Sequence, residues 1–186
     1  MGAFVNDVRV RLLQLSDAED LAALLDASRD HLQASLPAHD EEYFTAEGQR
    51  ERIGRTLAEH EAGRVWPCVI VHDGVVAGRV ALNNIVLGPL RSTFLSYSLG
   101  ASHLGRGLAS RAVEQILGQA FDVLQLHRVD AFTRADNPRS TKVLERNGFE
   151  RVGLARRHTH VGGRWHDEQL FQKLAPWDDG VTLHPR

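Results

Sequence analysis

The sequence predicts an α/β fold with a hairpin-rich, mostly antiparallel first half. Three observations carry that expectation. Val65–Val71 and Val75–Leu82 are β-rich runs joined through His72-Asp73-Gly74, and Asp-Gly between such runs is a strong hairpin signal. Leu108–Leu124 places apolar residues at 108, 112, 113, 116, 117, 120, 121 and 124, the steps of three and four that mark an amphipathic helix. The order of strand-like and helix-like stretches, βα(α)ββ-β-α-β-α-ββ, lacks the regular alternation of a doubly wound nucleotide fold.

Each element has a local reason. Val8–Leu15 alternates Val8, Val10 and Leu12 with Arg9 and Arg11, as a first strand does. Ser16-Asp17-Ala18-Glu19 matches a capping box, in which the Ser16 hydroxyl and the Glu19 carboxylate satisfy free N–H groups, and Leu21, Leu24 and Leu25 then share one helix face. Asp30–Thr45 is polar and interrupted by Pro37, which suits a loop or short helix. Ala46–Glu61 is a charged helix with a thin apolar stripe at Ile53 and Leu57, ended by Gly63. Arg91–Leu99 is a strand, Gly100–Gly107 a glycine-rich loop, and Arg128–Thr133 a short strand. Asn137-Pro138 opens a helix as cap and first-turn proline, and Asn147-Gly148 closes it. Phe149–Val161, Gly162-Gly163 and Arg164–Leu174 form a final hairpin, followed by a loose tail from Pro176.

Composition narrows the function. The 186 residues suit one domain spanning 1–186, with a core over about 8–174 and a tail over 175–186. Lys+Arg number 22 against 24 Asp+Glu, with no basic block, so a nucleic-acid partner is not expected. The longest apolar run, Val65–Val71, is far short of the ~18 residues of a membrane span, and Met1–Asp7 has no basic region or apolar signal core. A lone cysteine, Cys68, forbids an internal disulfide and fits a reducing, cytoplasmic setting; in an apolar strand it reads as a core thiol. The three tryptophans, Trp66, Trp165 and Trp177, read as packing residues. His158, His160 and His166 with Asp167 have spacing that a metal could use, but the ten histidines are scattered and no cysteine joins them, so no metal is expected.

The sharpest chemical signal is strand–loop–helix: Ser96-Tyr97-Ser98-Leu99, then Gly100-Ala101-Ser102-His103-Leu104-Gly105-Arg106-Gly107-Leu108-Ala109. Free N–H groups and the positive dipole end at a helix start attract an anion, and glycines let a phosphate approach the backbone. Gly105-Arg106-Gly107 therefore reads as a pyrophosphate seat. It lacks the Gly-Lys-Ser/Thr of nucleotide hydrolases and the third glycine of the dinucleotide fingerprint. Asn137 and Ser140, one turn apart at the next helix start, add a second polar pair.

With these motifs in order, the chain resembles the GNAT superfamily of N-acetyltransferases, and within it the RimJ/RimL branch. The matching text is Arg79–Asn84 (RVALNN), Ile85–Leu99 (IVLGPLRSTFLSYSL), Leu104–Ala109 (LGRGLA), Asn137–Phe149 (NPRSTKVLERNGF), Gly153-Leu154-Ala155-Arg156 and Gly163-Arg164-Trp165-His166-Asp167. The resemblance implies a twisted mixed sheet of about seven strands, flanked by helices and splayed between the fourth and fifth. It implies acetyl-CoA as cosubstrate and direct transfer to a primary amine, most simply the N-terminal α-amine of a protein such as a ribosomal protein. A small amine such as an antibiotic or polyamine, and a silent acetyl-CoA-binding module, are the alternatives; a homodimer stays open.

Carried over residue by residue, the resemblance gives Gly105, Arg106, Gly107, Leu108 and Ala109 the diphosphate and Ser98 and Leu99 the pantetheine arm. A backbone N–H near Leu99 would polarise the thioester carbonyl, Asn137 would bond the arm, and Ser140 would sit near the sulfur. Lys142, with Arg139, Arg106 and Arg111, is a candidate for the ribose phosphate. Leu104 and Leu144 depart from the family, which often has Gln or Arg at the first place and a tyrosine acid at the second. An α-amine, with a pKa near 8, loses its proton at about pH 7.5 for under ~1 kcal/mol, against ~4 kcal/mol for a lysine. A weak base thus suffices for an α-amine, and the candidates are Asp167, Glu168 and His166, or a water held by Asn83, Asn84 and Tyr97.

Overall fold

The computed structural model describes residues 7–33 and 39–183. Seven strands form one sheet in the order β1-β2-β3-β4-β5-β7-β6: β1 (Val8–Leu12), β2 (Val65–His72), β3 (Val75–Val86), β4 (Ser92–Leu99), β5 (Arg128–Arg134), β6 (Glu150–Val161) and β7 (Arg164–Leu174). Every neighbouring pair is antiparallel except β4 with β5. The β2–β3 hairpin turns on Asp73 and Gly74, whose φ values of 51° and 83° give the two left-handed residues that a twist-matched two-residue turn needs.

Side chains alternate across the sheet, so each face has its own core. Cys68 and Ile70 face one side with Val80, Leu82, Leu95, Val129 and Phe171, and that side is covered by α4 (Leu108–Gly118). Its Leu108, Ala112, Val113 and Ile116 are wholly buried, which is why the three-and-four spacing is so regular. Val69 and Val76 face the other way, against Leu21 of α1 (Ala18–Asp26) and Ile53 of α3 (Ala46–Glu61). The short α2 (Arg29–Gln33) follows α1, and α5 (Pro138–Arg146) lies between β5 and β6. Among the described residues, no helix is long and apolar enough to cross a membrane.

Parallel pairing of β4 with β5 runs only from Ser92–Arg128 to Leu95–Ala131. Beyond it, β4 stays paired to β3 as far as Leu99, and β5 stays paired to β7 as far as Arg134. The two strands are thus held from outside and part in the middle, splitting the sheet between its fourth and fifth strands as expected. Gly78 makes the β3 side possible, because a Cβ there would lie 2.2 Å from the Ser98 carbonyl oxygen.

Several local expectations are corrected. The first helix does not start from a Ser16–Glu19 box: both are exposed, and Leu15–Asp17 forms a 3₁₀ turn. The buried Asp17 carboxylate takes over, accepting from the Gln14 N–H at 2.9 Å and from both Arg11 terminal nitrogens at 2.8 and 2.6 Å. The guanidinium fork fixes this carboxylate where it can reach back to the Gln14 N–H, the role expected of Glu19. The apolar face over 108–124 persists, but after Gly118 the backbone widens into a π turn over Gln119–Val123. The expectation at Pro37 lies outside the described residues, although short helical turns do flank it at Arg29–Gln33 and Glu41–Phe44. The tail is anchored rather than loose through Thr182: Trp177 packs on the core, His127 Nε2 and Asp178 Oδ1 lie 2.9 Å apart, and the Asp179 carboxylate accepts from Val181 and Thr182. Trp165 is 60% exposed, since no layer covers the tip of the β6–β7 hairpin. Cys68 is a core thiol, and burial pushes its pKa up to about 11.

Burial works against ionisation of Asp17, but the Arg11 and Gln14 hydrogen bonds and the Arg11 charge outweigh it and hold the carboxyl below its usual value. Its stabilising effect is therefore full above the ordinary carboxylate pKa and lost as pH falls through the lowered one. Asp17→Ala strands Arg11 and the Gln14 N–H, and urea unfolding at neutral pH is expected to register a loss of about 1–3 kcal/mol, shrinking in strong acid. Equal stability of the two proteins at neutral pH would contradict this.

Candidate active site

The parting of β4 and β5 opens a cleft of about 730 Å³. One wall is the end of β4 and the loop into α4; the other is the end of β5 and the start of α5. Hydrogen-bonding direction alternates along a strand. The Gly100 N–H donates to Ala77 on β3 at 2.9 Å, so the Leu99 N–H turns the opposite way, into the parting. The edge of β4 therefore offers main-chain groups to a ligand as a sheet edge offers them to an added strand.

The mouth of the cleft is the α4 N-terminus. Gly105 and Gly107 both have φ of 75°, a left-handed conformation that disfavours side chains, and a Cβ built on either meets nothing within 4 Å. The glycines thus satisfy the turn and leave open space above it. Leu108 is wholly buried and fixes the helix start, while the amides of the first turn have no acceptor within the helix. Leu104 packs half-buried on the core and lines the cleft; Arg106 is exposed. Ala109, Ser98 and Leu99 also line the cleft, and Arg139 and Lys142 stand exposed on its α5 side.

Asn137 caps α5, its Oδ1 accepting from the Ser140 N–H at 3.1 Å, with Pro138 in the first turn. Across the parting, Tyr97 Oη lies 2.8 Å from Ser140 Oγ and donates to the Ser140 carbonyl at 3.3 Å. Burial pushes the Tyr97 phenol up to about 12, only partly offset by its bond to Ser140. The phenol is therefore protonated throughout the neutral range, and the pair always holds hydroxyl hydrogens to donate. Two further hydroxyls that the sequence reading did not single out, Thr133 Oγ1 and Thr159 Oγ1, are buried without a partner among the described residues, and both line the cleft.

A second cavity of about 520 Å³ shares Tyr97, Phe132 and Ser140 with the cleft. Asn83, Asn84, Ser96 and His158 complete its walls together with Phe94 and Leu95. Asn83 Nδ2 donates to Ser96 Oγ at 2.8 Å, and Asn84 sits in a bulge at φ 51°. Two chambers that meet at one hydroxyl pair suit a two-substrate transfer. The structure does not bring Asp167 to either chamber; it is exposed and its Oδ1 accepts from the Arg157 N–H at 2.8 Å. Glu168 does line the cleft, and His166 lies there with its Nε2 3.1 Å from the Val161 carbonyl. Leu144 is wholly buried in the core and touches neither chamber. Among the described residues, no group of three or more His, Cys, Asp or Glu is placed to hold a metal.

A mixed sheet parted between two parallel strands, with a helix N-terminus at the mouth of the gap, defines an acyltransferase architecture. Residues 7–150 match the family model described as acetyltransferase (GNAT) domain, and the chain belongs to the GNAT acetyltransferase family. It is 33% identical over 174 residues to a Bacillus subtilis (strain 168) protein named probable N-acetyltransferase YjcK, covering 92% of this chain and 96% of that one. The ribosomal-protein-S5-alanine acetyltransferase of Vibrio fischeri superposes with a TM-score of 0.87 at 29% identity, covering 94% of this chain and 96% of that one. Mycobacterium smegmatis RimJ, solved in complex with CoA-disulfide, also gives 0.87, at 31% identity over 90% of this chain and 82% of that one.

Because the fold favours the neutral Tyr97 phenol, its contribution is complete below the ordinary tyrosine pKa and is lost as pH rises toward 12. In an absorbance titration, Tyr97→Phe is expected to remove a tyrosine ionisation near pH 12 and to cost roughly 1 kcal/mol of stability at neutral pH. A variant that still shows the late ionisation would refute the assignment.

Proposed function

We propose that this acetyltransferase uses acetyl-CoA and acetylates the N-terminal α-amine of a protein, of the kind a ribosomal protein presents. The observation that carries the reading is the junction of two chambers at Tyr97 and Ser140, one of them ending at the open helix start over Gly105 and Gly107. The chamber fits the cosubstrate chemically. A diphosphate suits the amides of Gly105, Arg106, Gly107, Leu108 and Ala109, with Leu104 packing beneath them. A pantetheine arm suits the free edge of β4 at Ser98 and Leu99, and the unpaired Thr133 and Thr159 hydroxyls suit its amides. The Asn137 carbonyl is committed to Ser140, which leaves its NH₂ group to donate to the arm. Lys142 and Arg139 suit the ribose phosphate. The whole chain acts in this reading as one acetyltransferase domain. The relatives support both halves of the reading: one is named a ribosomal-protein-S5-alanine acetyltransferase, which bears on the acceptor, and another was solved with CoA-disulfide, which bears on the cosubstrate.

Bound acetyl-CoA supplies an activated acetyl carbonyl, which the acceptor nitrogen attacks directly. Leu99 N–H polarises that carbonyl, and a backbone amide already fixed by β4 needs no reorganisation to do so. Ser140 Oγ donates toward the departing sulfur. Tyr97 Oη, 2.8 Å from Ser140 Oγ, holds the serine hydroxyl at the junction of the two chambers. A serine is a weak acid, and a hydrogen bond to a thiolate, itself a good leaving group, is enough.

Three measurements test the reading. Gly107→Glu costs about 1–2 kcal/mol of left-handed strain but meets open space, so with a native circular-dichroism spectrum it is expected to lose CoA affinity by about 100-fold, about 2.7 kcal/mol, in calorimetric titration; unchanged affinity contradicts the seat. Ser140→Ala is expected to lower kcat by about 10–100-fold with CoA affinity kept, and an unaltered rate removes Ser140 from the chemistry. Against a panel of acceptors, thiol release should be fastest with Ala- or Ser-starting peptides. Turnover with small amines alone, or CoA binding without any turnover, contradicts the α-amine assignment.

A further inference from the structure

The base is the group that the site so far lacks, and the β6–β7 hairpin contains a device suited to it. Register between these strands jumps from Ala155–Glu168 to Thr159–His166, so three residues of β6 stand opposite the single Asp167 of β7. This wide bulge is sharp: Arg157 takes φ of 50°, a costly conformation for a long side chain. The Asp167 carboxylate holds it by accepting from the Arg157 N–H at 2.8 Å. The next residue, His158, is thereby turned onto the acceptor chamber, which it lines together with Tyr97 and Ser140. Its ring stacks on Phe132 at 4.6 Å between centroids, and Phe132 stacks on Phe94 at 5.0 Å. On the other side, His158 Nδ1 lies 2.6 Å from Glu168 Oε2, a carboxylate only 13% exposed. A carboxylate at that distance fixes the proton on Nδ1 and leaves the Nε2 lone pair available. Nε2 has no hydrogen-bond partner among the described residues.

We infer that His158, oriented by Glu168 and aimed by the Asp167-braced bulge, is the general base that takes the proton from the acceptor amine. This rests on the acetyl-transfer reading above. The amine lone pair forms the C–N bond as the carbonyl π pair moves to oxygen. That pair returns as the C–S bond breaks, with its electrons leaving on sulfur. The proton shed by nitrogen goes to His158 Nε2 and then to water. The thiolate leaves under the Ser140 hydrogen bond and takes its proton from water. The products are an amide, a free thiol and the enzyme in its starting state. An α-amine, whose ordinary pKa is about 8, gives up its proton far more readily than a lysine near 10.4, so a lone imidazole base suits it better. The same geometry therefore favours N-terminal acceptors. Glu168 and Asp167 act through His158 and are positioning residues.

The test compares His158→Ala and His158→Gln with the wild-type enzyme, using an Ala-starting peptide. Both variants are expected to bind CoA as the wild type does, which reports an intact fold, and to lose about 100-fold in kcat. Free imidazole should restore turnover to His158→Ala and do nothing for the wild type, a response that a merely structural histidine would not give. Asp167→Ala should lower kcat without weakening CoA, and should cost nothing further in the His158→Ala background. Wild-type turnover combined with full activity of His158→Ala overturns the dyad and leaves the acetyl-transfer reading standing. A wild-type protein that neither binds CoA nor acetylates any amine overturns that reading, and the dyad with it.

Discussion

The parting of β4 from β5 is the constraint on which the rest depends. Each strand keeps its outer partner along the length of the gap, β3 on one side and β7 on the other, so neither can swing in to close it. Unpaired main-chain groups are costly when buried and cheap when a ligand can take them. The sheet therefore carries, at its centre, a strand edge that water or a substrate must satisfy. The α4 N-terminus and the α5 N-terminus open onto the same gap and turn their positive dipole ends toward it, α4 with free first-turn amides as well.

The chemistry follows from what spans the gap. Tyr97 belongs to β4 and Ser140 to α5, and their hydroxyls are the direct bridge between the two walls. A buried phenol whose ionisation is pushed to about 12 cannot relay charge at neutral pH, but it is a steady donor. On the acceptor side the rings of Phe94, Phe132 and His158 form a stacked wall that ends at Glu168. The hydrogen-bonding pair and the proton-accepting dyad thus flank one junction from different elements. The dyad draws on one strained bulge residue, Arg157 at φ 50°.

Much of the fold was legible because its signals are local. The Asp73-Gly74 turn, the spacing of Leu108 through Phe121, and the Asn137-Pro138 and Asn147-Gly148 helix ends each state their conformation within a few residues. The Gly105–Ala109 motif was legible for the same reason. What the residues alone could not state was pairing across distance. Tyr97 and Ser140 are 43 residues apart, and Asp17, rather than Glu19, supplies the carboxylate that reaches back to the chain, held in place by Arg11 from β1. The π turn after Gly118 and the exposed Trp165 depend on what lies beside them, not on their own sequence. His158 drew notice only as a metal ligand and Glu168 only as a candidate base in its own right. The bulge that unites them leaves no composition signal, since nothing in Arg156-Arg157-His158 requires a left-handed residue.

The central claim is that the inward edge of β4 is unpaired in the free protein and occupied when the thioester carrier binds. Amide hydrogen exchange at Leu99, followed by NMR with and without saturating CoA, tests it most directly. The account predicts fast exchange in the free protein and strong protection in the complex, while the Gly100 amide, already bonded to Ala77, is protected in both. A Leu99 amide that is slow in the free protein, or that stays fast when CoA is bound, would contradict it.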